Sequence, residues 1–220
     1  MIGSEVDLLI NYPKPKRDLE SRAATKTEEV RSVARKFGQE FFDGNRKYGY
    51  GGFSYNPRFW EEVVPTFQDF YQLSNESRVL DVGCAKGFMM YDFSRLIPGI
   101  HIEGIDISEY AIKNSMESMK SNVKCANAID LPYEDNSFDL VISINTIHNL
   151  ESTECSLALQ EIERVSSANS FITVDAYEND IEKKQMFDWN LTAKTIFSTS
   201  EWKLFFEESG YSGDFYWFKP

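Results

Sequence analysis

The residues of this chain that could do chemistry stand in or directly after short apolar runs. Asp81 interrupts one such run, Arg78 to Val82, and Gly83 and Gly87 follow it. Asp106 ends a second run 25 positions after Asp81. Two glycines supply the unusual backbone angles of a tight loop. A carboxylate at the end of the next strand can accept both hydroxyls of a ribose. The spacing therefore predicts a nucleotide-type cofactor at one edge of a parallel sheet.

The elements that must position these groups are visible in the same stretch. A buried parallel strand is predicted at 78–82, followed by a helix at about 86–97 that stops before Pro98. A second strand is predicted at 102–106, which completes one βαβ unit. Lys86, beside the glycine loop, is expected to face solvent.

Loop spacing separates the two cofactor classes that use this layout. A dinucleotide fingerprint in register from Gly83 would need glycine at Ala85 and a small residue at Phe88, and both conditions fail. The segment instead resembles motif I of the class I S-adenosylmethionine (SAM)-dependent methyltransferases. Asp81, Gly83 and Gly87 match that motif, and Ala85 replaces its middle glycine.

The resemblance covers about residues 76–218 and implies a role for several further residues. Asp106 would contact the ribose, and Ile107 would pack on the adenine ring. Asn127 stands where the family usually has an acid, and its side-chain oxygen would accept from the adenine amine. The resemblance implies SAM as cofactor, S-adenosylhomocysteine as product, and these cofactor-binding residues: Asp81, Gly83, Ala85, Gly87, Asp106, Ile107, Asn127, Ala128 and Asn145.

Two candidate catalytic residues follow a predicted fourth strand at 138–144, in a loop that resembles the family's motif IV. His148 is the candidate base because histidine titrates near neutrality. The structural alternative is a helix-start histidine bonded to backbone. Asn145 would position a nucleophile or contact the amino-acid part of SAM, because an amide does not titrate in this range. The sulfonium already activates the methyl group, so a base is optional if the acceptor is well aligned.

Residues 1–75 are expected to form an N-terminal helical extension and lid, packed on a SAM-binding core at 76–220 within one compact domain. A helix is predicted from Thr25 or Thr27 to Asp43, and a second helix from Pro57. The polar, proline-broken stretch that precedes the first helix is expected to wrap the surface, at 11–17.

A segment rich in tyrosine and glycine lies between these two helices, at 46–58. We interpret it as a lid over the sulfonium and the acceptor, because tyrosine faces favour a cation and glycines allow closure. The alternative is a surface turn whose aromatics fill the seam between helices and sheet. Asp175 and Tyr177 stand at the end of a fifth predicted strand. The candidate substrate-binding residues are Tyr48, Tyr50, Tyr55, Arg58, Asp175 and Tyr177.

The predicted fold is α/β: a Rossmann-like, doubly wound, mostly parallel sheet of six or seven strands with helices on both faces and the N-terminal extension. A last helix ending at Gly210 is followed by a strand at 214–218. Little sequence remains for the family's usual antiparallel seventh strand. Two outcomes stay open: a six-stranded sheet, or an aromatic edge covered by a partner chain, as in a homo-oligomer.

Composition limits the classes of partner. The chain has 220 residues with 42% apolar content, enough for one core, and a formal charge of −12 that argues against nucleic acid. Neither a signal peptide nor a membrane span is indicated. The three cysteines are odd in number and lack metal spacing, so no metal is predicted, and reduced thiols in the cytoplasm are expected.

The predicted function is SAM-dependent methyl transfer to an oxygen or nitrogen atom of a small polar metabolite. The tyrosine and glycine segment is similar to that of bacterial chains associated with surface-polysaccharide genes, which implies a sugar or nucleotide-linked sugar as acceptor. Two alternatives are an aminopropyltransferase-like enzyme using decarboxylated SAM and a catalytically silent SAM-binding partner subunit. A paired-acid motif after the fourth strand would favour the first alternative, but the residues there, Asn145 to His148, include no acid.

Overall fold

The computed structural model describes residues 2–14, 25–51 and 53–219. Part of the predicted surface stretch, residues 15–17, and Gly52 of the predicted lid lie outside the described residues. No helix within the described ranges combines the length and the apolar character that crossing a bilayer requires.

A seven-stranded sheet forms the centre of the molecule, and its strands pair in parallel. Its order is β3-β2-β1-β4-β5-β6, with β7 also paired to β5. This architecture confirms the predicted Rossmann-like fold class. The strands are β1 (Arg78–Val82), β2 (His101–Asp106), β3 (Val123–Cys125), β4 (Phe138–Ile144), β5 (Ser166–Tyr177), β6 (Phe197–Ser198) and β7 (Asp214–Phe218).

Helices pack on both faces of the sheet. Alternation along β1 sends Leu80 and Val82 into one apolar cluster with Trp202, and Val79 into another with Phe67 and Phe93. Because both faces are buried, the central strands β1 and β4 are mostly apolar. The helices are α1 (Glu28–Ala34), α2 (Gln39–Phe42), α3 (Val64–Tyr71), α4 (Phe88–Leu96), α5 (Glu109–Lys113), α6 (Ser152–Val165), α7 (Asp180–Trp189) and α8 (Thr199–Ser209).

The C-terminal edge of the sheet differs from both outcomes left open by the sequence. Strand β7 runs parallel to β5, and β6 is a two-residue strand at the far end of β5. The outer edge of β7 is covered by the N-terminus of the same chain. Val6 N donates to Phe215 O at 3.0 Å, and Phe215 N donates to Ser4 O at 3.0 Å. The backbone N–H and C=O of Phe215 are therefore paired within the chain.

The predicted first helix is divided in two. Thr27 caps α1 with its side chain, but α1 ends at Ala34 because Phe37 takes a left-handed conformation with φ +46° ahead of Gly38. Helix α2 then ends at Phe42 with Asp43 as its C-cap, where the sequence predicted the stop. The predicted start at Pro57 is a 3-10 turn, Pro57–Phe59, and α3 follows only after a further turn.

Candidate active site

The glycine loop after β1 is tied directly to the end of β2. Gly83 N and Cys84 N both donate to Ile105 O, and Ala85 N donates to Asp106 Oδ2 at 2.8 Å. Gly83 has φ +89°, and a side chain there would collide with Thr146. Ala85 has φ +50°, a left-handed conformation that strains any residue with a Cβ. The loop is thus a fixed turn at the carboxyl edge of the sheet.

Asp106 is held in place by backbone amides. Its Oδ1 accepts from Ser108 N at 2.8 Å and its Oδ2 from Ala85 N at 2.8 Å. Burial raises the pKa of Asp106, and these two bonds offset part of the rise. Each carboxylate oxygen keeps a second lone pair for a hydroxyl donor. The adjacent Ile107 is 56% exposed, which leaves an apolar surface beside the carboxylate.

Asp81 is a buried carboxylate that no hydrogen-bond donor reaches among the described residues; its exposed fraction is 4%. Burial, and then the charge of Asp106, raise the pKa of Asp81 to about 8. A buried carboxylate in such a position is stabilised by a neighbouring cation. SAM carries an ammonium and a sulfonium, so Asp81, Asp106 and the glycine loop fit that cofactor.

The predicted adenine contacts lie after β3. Asn127 Oδ1 accepts from the backbone amide of Ile129 at 3.3 Å, so one of its lone pairs is used locally and the other is available. Ala128 is buried within the apolar cluster that includes Leu131. The position of these residues on the β3 side of Asp106 agrees with the order that the sequence implied.

The loop after β4 carries a second strained residue. Asn145 has φ +52°, and its backbone N–H is shared by Thr173 O and Thr173 Oγ1, both at 3.0 Å. Thr173 Oγ1 in turn donates to Asn145 Oδ1 at 2.9 Å. Strain of this kind persists only where the surroundings fix it, and it is frequent at functional sites.

His148 is buried beside β5, with 4% exposure. Its Nδ1 accepts from the backbone amide of Asp175 at 2.9 Å, so the neutral ring carries its proton on Nε2. Burial lowers the pKa of His148, although the Asp175 carboxylate opposes this shift. The imidazole is therefore neutral at pH 7 and presents an N–H rather than a free lone pair.

The N-terminal segment, residues 25–51, is bonded to the cofactor loops. Lys86 Nζ lies 2.5 Å from Asp43 Oδ1 and 2.9 Å from Phe53 O, and Tyr110 Oη donates to Asp43 Oδ2 at 2.8 Å. Ser108 Oγ donates to the backbone oxygen of Phe37. The prediction that Lys86 faces solvent is wrong: its side chain is 8% exposed, because it reaches under the segment to Asp43.

The same segment is bonded to the opposite side of the site. Arg31 donates to the backbone oxygens of Phe187 and Asn190, both at 3.2 Å, which caps the end of α7. Tyr50 Oη accepts from Leu191 N at 3.0 Å, and the Tyr50 ring lies 5.0 Å from the Trp189 ring. Residues 25–51 therefore bridge the cofactor loops and the end of α7.

The structure brings together some of the predicted substrate-binding residues. Burial, and then the charge of Asp175, raise the pKa of Tyr50 to about 12, which places these two groups in one electrostatic environment. Tyr177 packs on the apolar cluster that contains Trp189, and its hydroxyl donates to Glu201 at 3.4 Å. His148 contacts Asp175 from the β4 side. Tyr50, His148 and Asp175 thus converge where β5 ends.

Three other predicted residues lie elsewhere. Tyr48 packs against Val30 and Ala34 on α1. Tyr55 donates to the fully buried Asp92 Oδ1 at 2.7 Å, which holds it on the outer side of α4. Arg58 is exposed and lies over the Phe59 ring at 4.7 Å. The aromatic side chains of the predicted lid therefore pack against different elements, and its role as a lid stays a prediction.

Comparison with known proteins decides the family. A family model described as a methyltransferase domain matches residues 73–210, more than half of the chain. The chain belongs to the class I SAM-dependent methyltransferases. SAM is the methyl donor of this family.

Individual proteins similar to this methyltransferase share about a third or less of their residues with it over the matched regions. An uncharacterized protein of Haemophilus influenzae is 31% identical over 63% of the chain, and the match spans 59% of that protein's length. An O-methyltransferase of Aspergillus nomiae is 32% identical over 44% of the chain and 45% of its own length. The structure of a SAM-dependent methyltransferase from Aquifex aeolicus covers 89% of both chains with a TM-score of 0.51 at 20% identity, which shows a shared fold.

Proposed function

We propose that this methyltransferase transfers the methyl group of SAM to an oxygen or nitrogen atom of a small polar metabolite. The acceptor would lie between the ends of β4 and β5, beneath residues 25–51. The proposal rests on the bridge that residues 25–51 form between the glycine loop and the end of α7. The segment contacts the glycine loop through Asp43 and Lys86, and it contacts the end of α7 through Tyr50 and Leu191. A site covered in this way excludes water from a small acceptor.

The division of labour follows from the geometry of the chain. SAM, when bound, supplies a methyl group that the sulfonium has already activated. Asp81 and Asp106 would hold the cofactor's positive and hydroxyl-bearing parts. Tyr50 and Asp175 would orient polar groups of the acceptor. Alignment of this kind contributes on the order of 7 to 11 kcal/mol in favourable intramolecular models.

Proton removal by His148 remains a prediction, and its geometry favours another role. The lone pair on Nδ1 is used by the Asp175 amide, so His148 offers an Nε2–H donor to a neighbour. We propose that His148 sets the distance between the β4 and β5 loops and that transfer depends mainly on alignment. A base role would require the ring to rotate or change tautomer.

The acceptor class is proposed from charge and from the relatives. A formal charge of −12 and the buried Asp175 disfavour a polyanionic acceptor such as nucleic acid. One relative is an O-methyltransferase, which supports oxygen as the acceptor atom. A sugar or a nucleotide-linked sugar is therefore the first class to test.

The proposal also includes the location and the division of the chain. The enzyme would be cytoplasmic, with residues 1–75 as an extension on the acceptor side and residues 76–220 as the SAM-binding core.

The test is turnover of SAM with a panel of free sugars, nucleotide-linked sugars and polar amines, read as formation of S-adenosylhomocysteine. Methylation of at least one acceptor is expected, with a loss of about tenfold or more in Tyr50→Phe. Tyr91→Phe is the matched control, because Tyr91 packs on the Tyr55 ring instead. Binding of SAM without turnover of any acceptor would contradict the proposal, and so would turnover of decarboxylated SAM alone.

A further inference from the structure

Thr173 makes an unusual set of contacts with Asn145 across the β4–β5 boundary. Thr173 is 1% exposed and pairs with Ile144 in the parallel register of β4 and β5. Ile144 is the last residue of β4 and directly precedes Asn145. The backbone oxygen and Oγ1 of Thr173 share the Asn145 N–H, and the Thr173 hydroxyl donates to Asn145 Oδ1 at 2.9 Å. One buried side chain thus binds both the backbone and the side chain of a residue at the site.

These contacts fix which way the Asn145 amide faces. A threonine hydroxyl has a single proton, and here that proton is given to Asn145 Oδ1. The amide nitrogen Nδ2 must therefore point away from Thr173. Among the described residues no acceptor for Nδ2 is found, and Asn145 is partly exposed at the carboxyl edge of the sheet. Its two N–H donors are therefore available to a ligand at that edge.

The backbone of Asn145 agrees with a fixed orientation. The left-handed conformation, φ +52°, is strained for a residue with a Cβ, and the Thr173 contacts oppose its relaxation. The neighbouring Asn149 Nδ2 donates to Asn145 O at 3.2 Å, which restrains the peptide from the other side. Asn145 is held at three atoms, and its amide nitrogen is the part left to interact with a ligand.

We propose that Thr173 is a positioning residue that turns the Asn145 amide so that its N–H groups donate to a non-reacting oxygen of the acceptor. A donor on the reacting atom itself would withdraw electron density from that atom and weaken its attack on the methyl group. The acceptor is thus expected to carry a second oxygen beside the atom that is methylated, as a vicinal diol does. This inference rests on the proposed function and specifies its acceptor.

The first experiment measures orientation without turnover. In nuclear magnetic resonance spectra of the folded chain, the Asn145 side-chain NH₂ signals are assigned by their loss in Asn145→Asp. Thr173→Val should shift these signals toward values of a free amide, and Thr173→Ser should preserve them. Unchanged signals in Thr173→Val would overturn the inference, whatever acceptor the enzyme uses.

The second experiment measures the consequence for the acceptor. Thr173→Val should lower kcat/KM for a vicinal diol acceptor about tenfold and leave the SAM dissociation constant within about twofold, and Thr173→Ser should restore turnover. Thr173→Val should add nothing in an Asn145→Asp background. The inference would be overturned if Thr173→Val weakened SAM binding as much as it lowered kcat/KM. It would also be overturned if the effects of Thr173→Val and Asn145→Asp on kcat/KM were fully additive. Asn145→Asp alone, which keeps the Oδ1 acceptor, tests the donor role if Thr173→Val does not fold.

Discussion

Lys86 and Asp43 form an ion pair that joins the glycine loop to the N-terminal segment. Lys86 Nζ lies 2.5 Å from Asp43 Oδ1, and the two side chains are 8% and 29% exposed. Burial raises the pKa of Asp43, but the bonds from Lys86 and Tyr110 outweigh it, and the pKa falls below its ordinary value of 3.8. The ion pair therefore joins the glycine loop and residues 25–51 into one unit.

Removing the lysine should loosen this unit. Lys86→Met keeps the apolar stem and loses the bonds to Asp43 and Phe53, at a cost of about 1.5 to 3 kcal/mol in the free energy of unfolding. Weaker SAM binding should accompany this loss, since the cover is less populated. Chemical unfolding and calorimetry measure both effects. Lys184→Met, which removes an exposed ion pair with Asp188, is the control and should change neither. A Lys86→Met variant equal to the wild type would contradict the coupling.

SAM binding should release a proton through Asp81. In the cofactor-free protein burial and then Asp106 raise the pKa of Asp81 to about 8, so much of the group is protonated at pH 7. A cation beside the carboxylate favours its ionised form and lowers the pKa, so protons are released between the two values. Calorimetry at pH 7 in buffers of different ionisation enthalpy measures this release. It should vanish in Asp81→Asn, and a release of the same size in that variant would exclude Asp81 as its source.

His148 should make stability depend on pH. Burial lowers the folded-state pKa of His148 below its ordinary value of 6.5, so the unfolded chain binds the proton more readily. The contribution of the neutral His148 to the free energy of unfolding is fully present above pH 6.5. It is lost as pH falls from 6.5 toward the folded pKa, at up to about 1.4 kcal/mol per pH unit. Urea unfolding should show the decline, which His148→Asn should reduce. An undiminished decline in His148→Asn would contradict His148 as its source.

Ala85→Gly should stabilise the loop. The left-handed conformation of Ala85, φ +50°, costs about 1 to 2 kcal/mol for an alanine, whereas glycine adopts it freely and loses about 0.5 to 1 kcal/mol more entropy on folding. A net gain of about 0.5 to 1 kcal/mol in unfolding free energy is expected by urea titration. Ala111→Gly, within helix α5, should instead destabilise by about 1 kcal/mol. A loss in both variants would show that Ala85 is not strained.

The sequence was most informative where local pattern and tertiary structure agree. Strand β4 has its predicted bounds, Phe138–Ile144, because a strand buried on both faces is mostly apolar. Asp81 and Asp106 could be placed because each lies at or near the carboxyl end of such a strand. His148 could be placed in the loop but not assigned a tautomer, since that depends on the Asp175 amide 27 positions away.

Contacts distant in sequence account for what was missed. Lys86 was expected to face solvent because SAM carries no phosphate for it to contact, whereas its actual partner Asp43 stands 43 positions earlier. The helix division at Phe37 was not visible either, because the apolar stripe continues to Phe41 in helical register. Tyr50 and Tyr55 belong to one segment, but they bind elements on different sides of the molecule.

The most direct test is calorimetric titration of the folded chain with SAM, S-adenosylhomocysteine and NAD. The structure predicts that SAM and S-adenosylhomocysteine bind one to one and that NAD does not bind, because Ala85 and Phe88 break the dinucleotide fingerprint. Asp106→Ala should weaken binding of both ligands while the protein remains folded. Failure of the folded wild-type chain to bind SAM, or binding of NAD in its place, would contradict the assignment of this site.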